Sequence, residues 1–313
     1  MRVVWTPDDI PGQRGRVAVV TGANGGLGLQ TAHALARKGA HVIMAARNQD
    51  KANQARRAIA ADVPDADLEI RELDLASLLS VRACADAVVA DHGRIDLLVN
   101  NAGVMAVPEQ ATAEGFEMQF GVNHLGHFVL TRRLLPALLE ASAGRIVSVT
   151  SFARLTGRPV DPGNPHLRGG YGPWRAYGQS KLANLHFAVE LQRRLEAAGA
   201  SVASLAADPG LSATDLQARS VRETGGGLSQ RFWHVAARSV GMPADRGAGP
   251  QLRAATDPSA RGGELYAPRW GTFGPPVRRR LVGRELDHDA ARTLWQISEH
   301  ETGERFDVSG VRR

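Results

Sequence analysis

Short apolar runs alternate along the chain with longer stretches whose apolar positions recur every three or four residues. That alternation predicts strands separated by amphipathic helices, an α/β arrangement with helices on both faces of one parallel sheet. Residues 16–21 read as a first strand, followed by a glycine-rich turn and a helix over 26–38 that Gly39 stops. A second strand over 41–45 leads to a helix capped by Asn48 and ended before Pro64. Strands over 68–73 and 95–99 flank a helix over 77–92. The runs are rich in β-branched residues and show no polar alternation, as expected of strands covered on both sides. The second half repeats the rhythm. A long helix over 116–141 should be bent at Pro136, a strand spans 145–150, and a Gly- and Pro-rich loop runs over 152–173. A helix over 174–198, a strand over 201–206, a helix over 245–255 and a strand over 264–267 complete a doubly wound sheet of seven parallel strands. A last helix is expected over 287–300.

Composition adds little beyond exclusions. Hydrophobic residues at 43% and charged ones at 22% are ordinary globular values, which excludes a disordered or fibrous chain. The net charge is +6, but of 38 basic residues only Lys38, Lys51 and Lys181 are lysines. The arginine skew reads as a codon-usage bias, so no nucleic-acid partner is inferred. The run Arg278-Arg279-Arg280 reads as a solvated face. Cys84 stands alone and cannot form an internal disulfide. No apolar run reaches the roughly 18 residues of a membrane span, and none at the N-terminus suits a signal peptide. The expectation is a cytoplasmic protein without a stable membrane anchor, folded as one domain over 1–313. Residues 15–210 would form the core, 211–243 a lid over the substrate, and 244–313 the last helix, strand and tail.

The first chemistry-bearing segment is Thr21-Gly22-Ala23-Asn24-Gly25-Gly26-Leu27-Gly28, between the first strand and its helix. Glycines there permit a tight turn and let backbone N–H groups approach a pyrophosphate at the positive end of a helix. This predicts a dinucleotide site. Where NAD-binding sheets usually carry an acidic residue after the second strand, this chain has Ala45-Ala46-Arg47-Asn48. Arg47 can meet the 2′-phosphate of NADP bidentately, or be one more surface arginine. The preferred cofactor is therefore NADP(H), with NAD(H) possible. Asp74, followed by Leu75, is placed either to accept from an adenine amino group or to cap the next helix.

Tyr177 and Lys181 stand four residues apart on one predicted helix and so share a face. With three tyrosines and three lysines in the chain, chance supplies only about 0.03 such pairs. A nearby ammonium favours phenolate and lowers a tyrosine pKa, which suits Tyr177 to general-acid work.

With these pieces in order, the chain resembles the short-chain dehydrogenase/reductase family, whose fold is the Rossmann type. The resemblance rests on the Thr21–Gly28 turn, Asn100-Asn101-Ala102-Gly103, Asn123, Ser151, Tyr177/Lys181 and Pro209-Gly210, and covers roughly residues 15–267. Ala46-Arg47-Asn48, the stretch Asn123-His124-Leu125-Gly126-His127-Phe128 and the long tail are most similar to the branch holding retinol dehydrogenases and protochlorophyllide-type reductases. The resemblance implies that Ser151 bonds a substrate carbonyl and that Tyr177 protonates its oxygen as hydride arrives. It implies that Lys181 lowers the Tyr177 pKa and binds the nicotinamide ribose, while Asn123 holds a relay water. It also lines the cofactor with Gly22, Asn24, Gly25, Gly26, Leu27, Gly28, Arg47, Asn48, Asp74, Leu75, Asn101, Ala102 and Gly103, and sets Pro209-Gly210 beside the nicotinamide. Ser151 can alternatively be a turn residue, and Asn123 an interhelical bond.

Some departures limit the carry-over. Asp208 stands where the retinol-like branch often has histidine, and Cys84 falls in a helix on the cofactor side, which argues against a light-driven pigment reductase relying on an active-site cysteine. Two loops should wall the substrate: Phe152, Leu155, Val160, Tyr171 and Trp174 from one, and Leu211, Leu216, Val221, Leu228, Phe232 and Trp233 from the other. Their apolar character favours a lipophilic or aromatic ketone, aldehyde or alcohol, unless they simply pack the loops down. His124 and His127 read as packing residues, and no spacing suggests a metal. A possible homodimer through the helices over 116–141 and 174–198 is the expected partner contact, with the tail able to cover the same or another surface. The alternatives from other classes are a dinucleotide-binding regulatory protein and an epimerase or dehydratase. The first need not keep Ser151, Tyr177 and Lys181; the second usually carries a larger substrate domain.

Overall fold

A computed structural model describes residues 4–211 and 242–308. Its centre is a sheet in the order β3-β2-β1-β4-β5-β6-β7-β8, formed by β1 (Val17–Thr21), β2 (His41–Ala46), β3 (Asp67–Glu72), β4 (Leu97–Asn100), β5 (Arg145–Val149), β6 (Ala203–Ala207), β7 (Leu265–Pro268) and β8 (Pro276–Arg279). The first seven pair in parallel. The eighth pairs antiparallel with β7, so the sheet has one strand more than the sequence suggested. Proline and exposed arginines mark an edge strand, where outward charge discourages pairing with another chain. Arg278, Arg279 and Arg280 are indeed solvated, and Arg278 meets Glu264 at 2.9 Å.

Alternate residues of each strand feed two cores, one per face. Val19, Ile43, Leu98 and Ile146 face one side, with Phe128, Leu134 and Leu191. Val20, Met44, Val99 and Val147 face the other, with Leu35, Ile59 and Leu252. The helices are α1 (Gly26–Arg37), α2 (Gln49–Asp62), α3 (Leu78–Asp91), α4 (Met118–Phe120), α5 (Gly126–Leu139), α6 (Pro173–Ala197), α7 (Ala244–Gly247), α8 (Gly249–Thr256) and α9 (His288–Thr302). Asn48 caps α2 through Lys51 N–H at 2.8 Å, and Ser77 caps α3.

The single helix expected over 116–141 is instead α4, a π turn over Gly121–Leu125, and α5. The turn closes on Gly126 N–H to Gly121 C=O, which inserts a residue without disturbing the apolar periodicity. Pro136 is held inside α5. The helix expected over 245–255 is split at Ala248 into α7 and α8.

α9 changes the expected dimer face. Its Trp295 and the following Phe306 pack on Phe128 of α5 and Phe187 of α6, with ring centroids 5.3–6.4 Å apart. The chain's own tail therefore packs on part of the helical face suggested for a homodimer, chiefly along α6. Among the described residues no helix is long and apolar enough to cross a membrane. Most of the proposed lid, with Leu216, Val221, Leu228, Phe232 and Trp233, lies outside the described residues.

Candidate active site

Parallel strands release their chains at one end of the sheet, and strand order reverses between β1 and β4. A crevice forms at such a switch point. Thr21, the last residue of β1, organises it. Its Oγ1 accepts the N–H groups of Asn101 and Ala102, each at 2.9 Å, and Asn101 Nδ2 donates to Thr21 C=O at 2.8 Å. His127 sits 2.9 Å from the same hydroxyl through Nε2, and its Nδ1 is 3.0 Å from Asn123 C=O. Nδ1 donates to that carbonyl, so Nε2 accepts from Thr21. Burial drives the His127 pKa down to about 4 and that of His124 to about 3. Both rings are neutral packing residues, as the sequence suggested. Thr21 itself was missed, being a common residue type at a strand end.

The turn leaving β1 has the shape a pyrophosphate needs. Gly22 and Gly26 have φ of 68° and 51°, in the left-handed region that glycine favours. A Cβ on Gly28 would lie 2.3 Å from Gly22 C=O, so α1 can approach the turn only with glycine there. Gly25 faces open space, and no side chain caps α1. Asn24 and Leu27 complete the turn, Leu27 with its side chain buried. An uncapped helix N-terminus offers free N–H groups to an anion. The residues present thus fit a dinucleotide.

At the ends of β2 and β3, Arg47 is exposed, with Nη1 3.9 Å from Asp74 Oδ1. Asn48 is spent on its helix cap. The Asp74 carboxylate accepts from Ala76 N–H at 3.0 Å, while Ser77 takes the α3 cap. Leu75 is buried, and its carbonyl packs so closely on Gly126 that a Cβ there would sit 2.8 Å away.

Beyond β4 and β5 lies the chemistry. Ser151 lies two residues past the β5 end. Tyr177 and Lys181 sit on α6, which is pinned to that end by Thr150 Oγ1 donating to Lys181 C=O (2.6 Å) and Asn184 Nδ2 to Val149 C=O (3.0 Å). The Tyr177 phenol lies near enough to Ser151 for that hydroxyl to favour its ionised form, while Ser151 Oγ accepts from Ala153 N–H at 3.3 Å. Lys181 Nζ donates to Val149 C=O at 3.2 Å and stands 5.7 Å from the Tyr177 ring centroid. A Cβ on Gly103 would lie 2.9 Å from Asn123 Oδ1 and 3.5 Å from Lys181 Nζ, so these groups adjoin. The Asn123 amide is committed to Val104, accepting its N–H at 2.8 Å and donating to its C=O at 2.9 Å, and it also donates to Ser180 Oγ.

The electrostatics differ from expectation. Burial pushes the Tyr177 phenol up to about 12, helped by the Asp208 charge and opposed by the nearby Ser151 hydroxyl. Burial pulls Lys181 down to about 8, against the Asp208 charge. In the protein alone Tyr177 is therefore raised, where Lys181 was expected to lower it. Both groups share a dry site, and desolvation drives each toward its neutral form. Tyr177 holds its proton at neutral pH.

Asp208 is the largest addition to the site. It receives Arg154 Nη1 on one oxygen and Gly210 N–H, at 2.9 Å, on the other. Arg154 also donates from Nε to Glu285 at 2.7 Å and from Nη1 to Ser151 C=O at 3.0 Å. The three charged side chains are at most 7% exposed. This cluster fixes the segment carrying Ser151 against Pro209-Gly210, and Gly210 in turn packs under the β7–β8 loop with φ of 67°.

Of the proposed wall, Val160 belongs to the core, and Tyr171 is tied by its hydroxyl to Val107 C=O at 2.7 Å. Trp174 meets the Tyr177 ring edge-on at 6.0 Å. Phe152 and Leu155 are exposed, as are Trp270 and Phe273 in the β7–β8 loop, which the sequence did not suggest. That loop abuts the site: Thr272 C=O accepts Leu211 N–H at 2.9 Å.

A sheet reversing at β1/β4, with a glycine turn at the switch and a serine–tyrosine–lysine group beyond β5, defines a class of dinucleotide-dependent enzymes. The chain belongs to the short chain dehydrogenase family, whose model matches residues 16–225. It is 44% identical over 203 residues to human retinol dehydrogenase 13, a stretch covering 64% of this chain and 60% of that protein. The crystal structure of an uncharacterized protein from Mycobacterium paratuberculosis superposes with a TM-score of 0.81 at 41% identity, covering 97% of this chain and 99% of that one. A structure described as an NAD(P) dependent gluconate 5-dehydrogenase from Beutenbergia cavernae, with bound NADP, gives 0.64 at 29% identity over 82% and 96% of the two chains.

Proposed function

We propose that the protein is an NADP(H)-dependent oxidoreductase that moves hydride between the nicotinamide and the carbonyl or alcohol carbon of a small lipophilic or aromatic molecule. The observation that carries this reading is the buried, protonated Tyr177 phenol near Ser151, with buried Lys181 5.7 Å from its ring and the glycine turn at the neighbouring strand end. When bound, the cofactor supplies or takes the hydride. The chain's own residues do the rest. The Gly22–Gly28 turn and the α1 N-terminus hold the pyrophosphate, and Asn101, Ala102 and Gly103 line the crevice. The Ser151 hydroxyl positions the substrate oxygen, and Tyr177 delivers a proton to it as negative charge develops. Lys181 supplies ribose contacts and positive charge when protonated, and Asn123 keeps the Val104 backbone in place beside it. Phe152, Leu155, Trp270 and Phe273 supply apolar surface at the mouth, in keeping with a relative named for retinol.

The NADP preference rests on Arg47 and on the lack of a carboxylate after β2, and a relative's bound NADP agrees with it. Titration should show tighter binding of NADPH than of NADH. Arg47→Ala should weaken NADPH by about 10- to 100-fold, the worth of a charged hydrogen bond of roughly 1.5–3 kcal/mol, and leave NADH unchanged. Equal affinities in the unmodified protein contradict the assignment. Turnover of a carbonyl and alcohol panel with the preferred cofactor then tests the substrate class.

A further inference from the structure

At the opposite end of the sheet three side chains converge that the reaction does not use. His41 opens β2, Glu69 lies in β3, and His92 terminates α3. Their ligand atoms lie within 4.8 Å of one another, each side chain partly buried. They are 28 and 23 residues apart in sequence, which is why no metal motif was legible there.

The hydrogen-bond arithmetic is unusual. His41 Nδ1 is 2.8 Å from Asp67 Oδ1, and a carboxylate can only accept, so Nδ1 carries a hydrogen. In a neutral ring Nε2 then bears a lone pair. That lone pair faces Glu69 Oε2 at 3.3 Å, which is also an acceptor. A proton shared between them or a metal cation would relieve this meeting of lone pairs. His92 Nε2 approaches the same carboxylate oxygen at 2.8 Å, so the cation has a third donor.

We propose that His41 Nε2, His92 Nε2 and Glu69 Oε2 form a binding site for a divalent transition-metal ion of the zinc class. Two imidazoles and a carboxylate are a zinc donor set, and bonds of about 2.0–2.2 Å at tetrahedral angles separate ligand atoms by about 3.4 Å. The His41–Glu69 pair already has that spacing. His92, at a helix end, needs to withdraw by about half an ångström. Asp67 fixes the His41 ring in the tautomer a metal requires, the carboxylate–histidine support common around metal sites. Arg71 binds both the other Glu69 oxygen and Asp91. With neutral imidazoles the local charges of Asp67, Glu69, Asp91 and Arg71 favour a dication. The side chains are 18–23% exposed, which leaves a fourth position to water. The ion would staple β2, edge strand β3 and the end of α3 together. β2 spans about 16 Å at about 3.3 Å per residue, so this site is remote from Arg47 and the cofactor crevice.

The test uses tag-free full-length protein stripped with a chelator and titrated with zinc chloride by calorimetry, with thermal unfolding followed in parallel. One equivalent of zinc should bind and raise the unfolding midpoint, and chelator should reverse the rise. His92→Gln and Glu69→Gln should abolish the midpoint rise. Asp67→Asn, which leaves every ligand in place, should weaken zinc about 10- to 100-fold. Cobalt(II) should give the visible absorption of a tetrahedral site in the unmodified protein and lose it in Glu69→Gln. Absence of zinc binding, or equal affinity in the unmodified, His92→Gln and Asp67→Asn proteins, overturns the proposal and leaves a second ring proton as the positive charge.

Discussion

Replacing Arg154 by methionine isolates the buried charge cluster, because methionine keeps much of the stem and removes the guanidinium. Asp208 and Glu285 would then be two buried carboxylates, retaining, among the described residues, the Gly210 and Val282 N–H groups as partners. Removing one member of a buried ion pair typically costs about 3–5 kcal/mol, because a charge is left without its partner. With a urea m-value of about 3 kcal/mol/M or above, the midpoint falls by roughly 1 M. The double variant Arg154→Met/Asp208→Asn should recover part of that loss, since the two residues are directly coupled. Turnover should fall as well, because Arg154 also holds Ser151 C=O; a misplacement of about 1 Å at a reacting group can cost about 10²-fold. Urea unfolding and steady-state kinetics on the same preparations provide the assay. A single variant within about 1 kcal/mol of the unmodified protein would show that the cluster behaves like a surface pair, and the reasoning would fail.

Lys181 should leave a signature in the pH dependence of stability. Its folded pKa near 8 lies below the ordinary 10.5, so between those values the unfolded chain holds a proton that the folded one lacks. Stability rises with pH across that window, by on the order of 3 kcal/mol in total. Tyr177, raised from 10 to about 12, acts in the opposite sense only above pH 10. Urea midpoints from pH 8 to 10 should therefore climb in the cofactor-free protein and climb less in Lys181→Met; equal slopes refute the burial argument. Gly28→Ala should cost about 1–3 kcal/mol, as overpacking does, since its methyl would strike Gly22 C=O. NADPH binding should weaken about tenfold or more with it, and calorimetry showing unaltered affinity would contradict the role given to the turn.

The parallel part of the sheet was legible because buried strands and amphipathic helices have different apolar periods, and β1 to β7 fell within a residue or two of expectation. β8 was not, because Pro276-Val277-Arg278-Arg279 has the composition of a loop and becomes a strand only by adding to the β7 edge. The π turn was hidden for a related reason: one inserted residue between α4 and α5 leaves the apolar face nearly continuous. At the site, local signals such as the glycine turn and the Tyr177/Lys181 spacing pointed to residues that the structure gathers at the ends of β1 and β5. Asn48 reads as a ligand from its position, yet its side chain caps α2. Arg154, Asp208 and Glu285 were beyond reach, since 54 and 131 residues separate the partners and one more arginine draws no notice in this chain. The departure at Asp208 was the available signal. The raised Tyr177 pKa was also invisible, because burial of both partners appears only when the chain is folded.

The most direct test of the account is the rate of NADPH-dependent carbonyl reduction by Tyr177→Phe, measured beside its cofactor affinity. The substitution removes one hydroxyl, so the fold and NADPH binding should persist. The reduction rate should fall by about 10²- to 10⁴-fold, the usual worth of a positioned general acid. A folded Tyr177→Phe protein that binds NADPH and reduces substrate at the unmodified rate would place the proton donor elsewhere and contradict the mechanism.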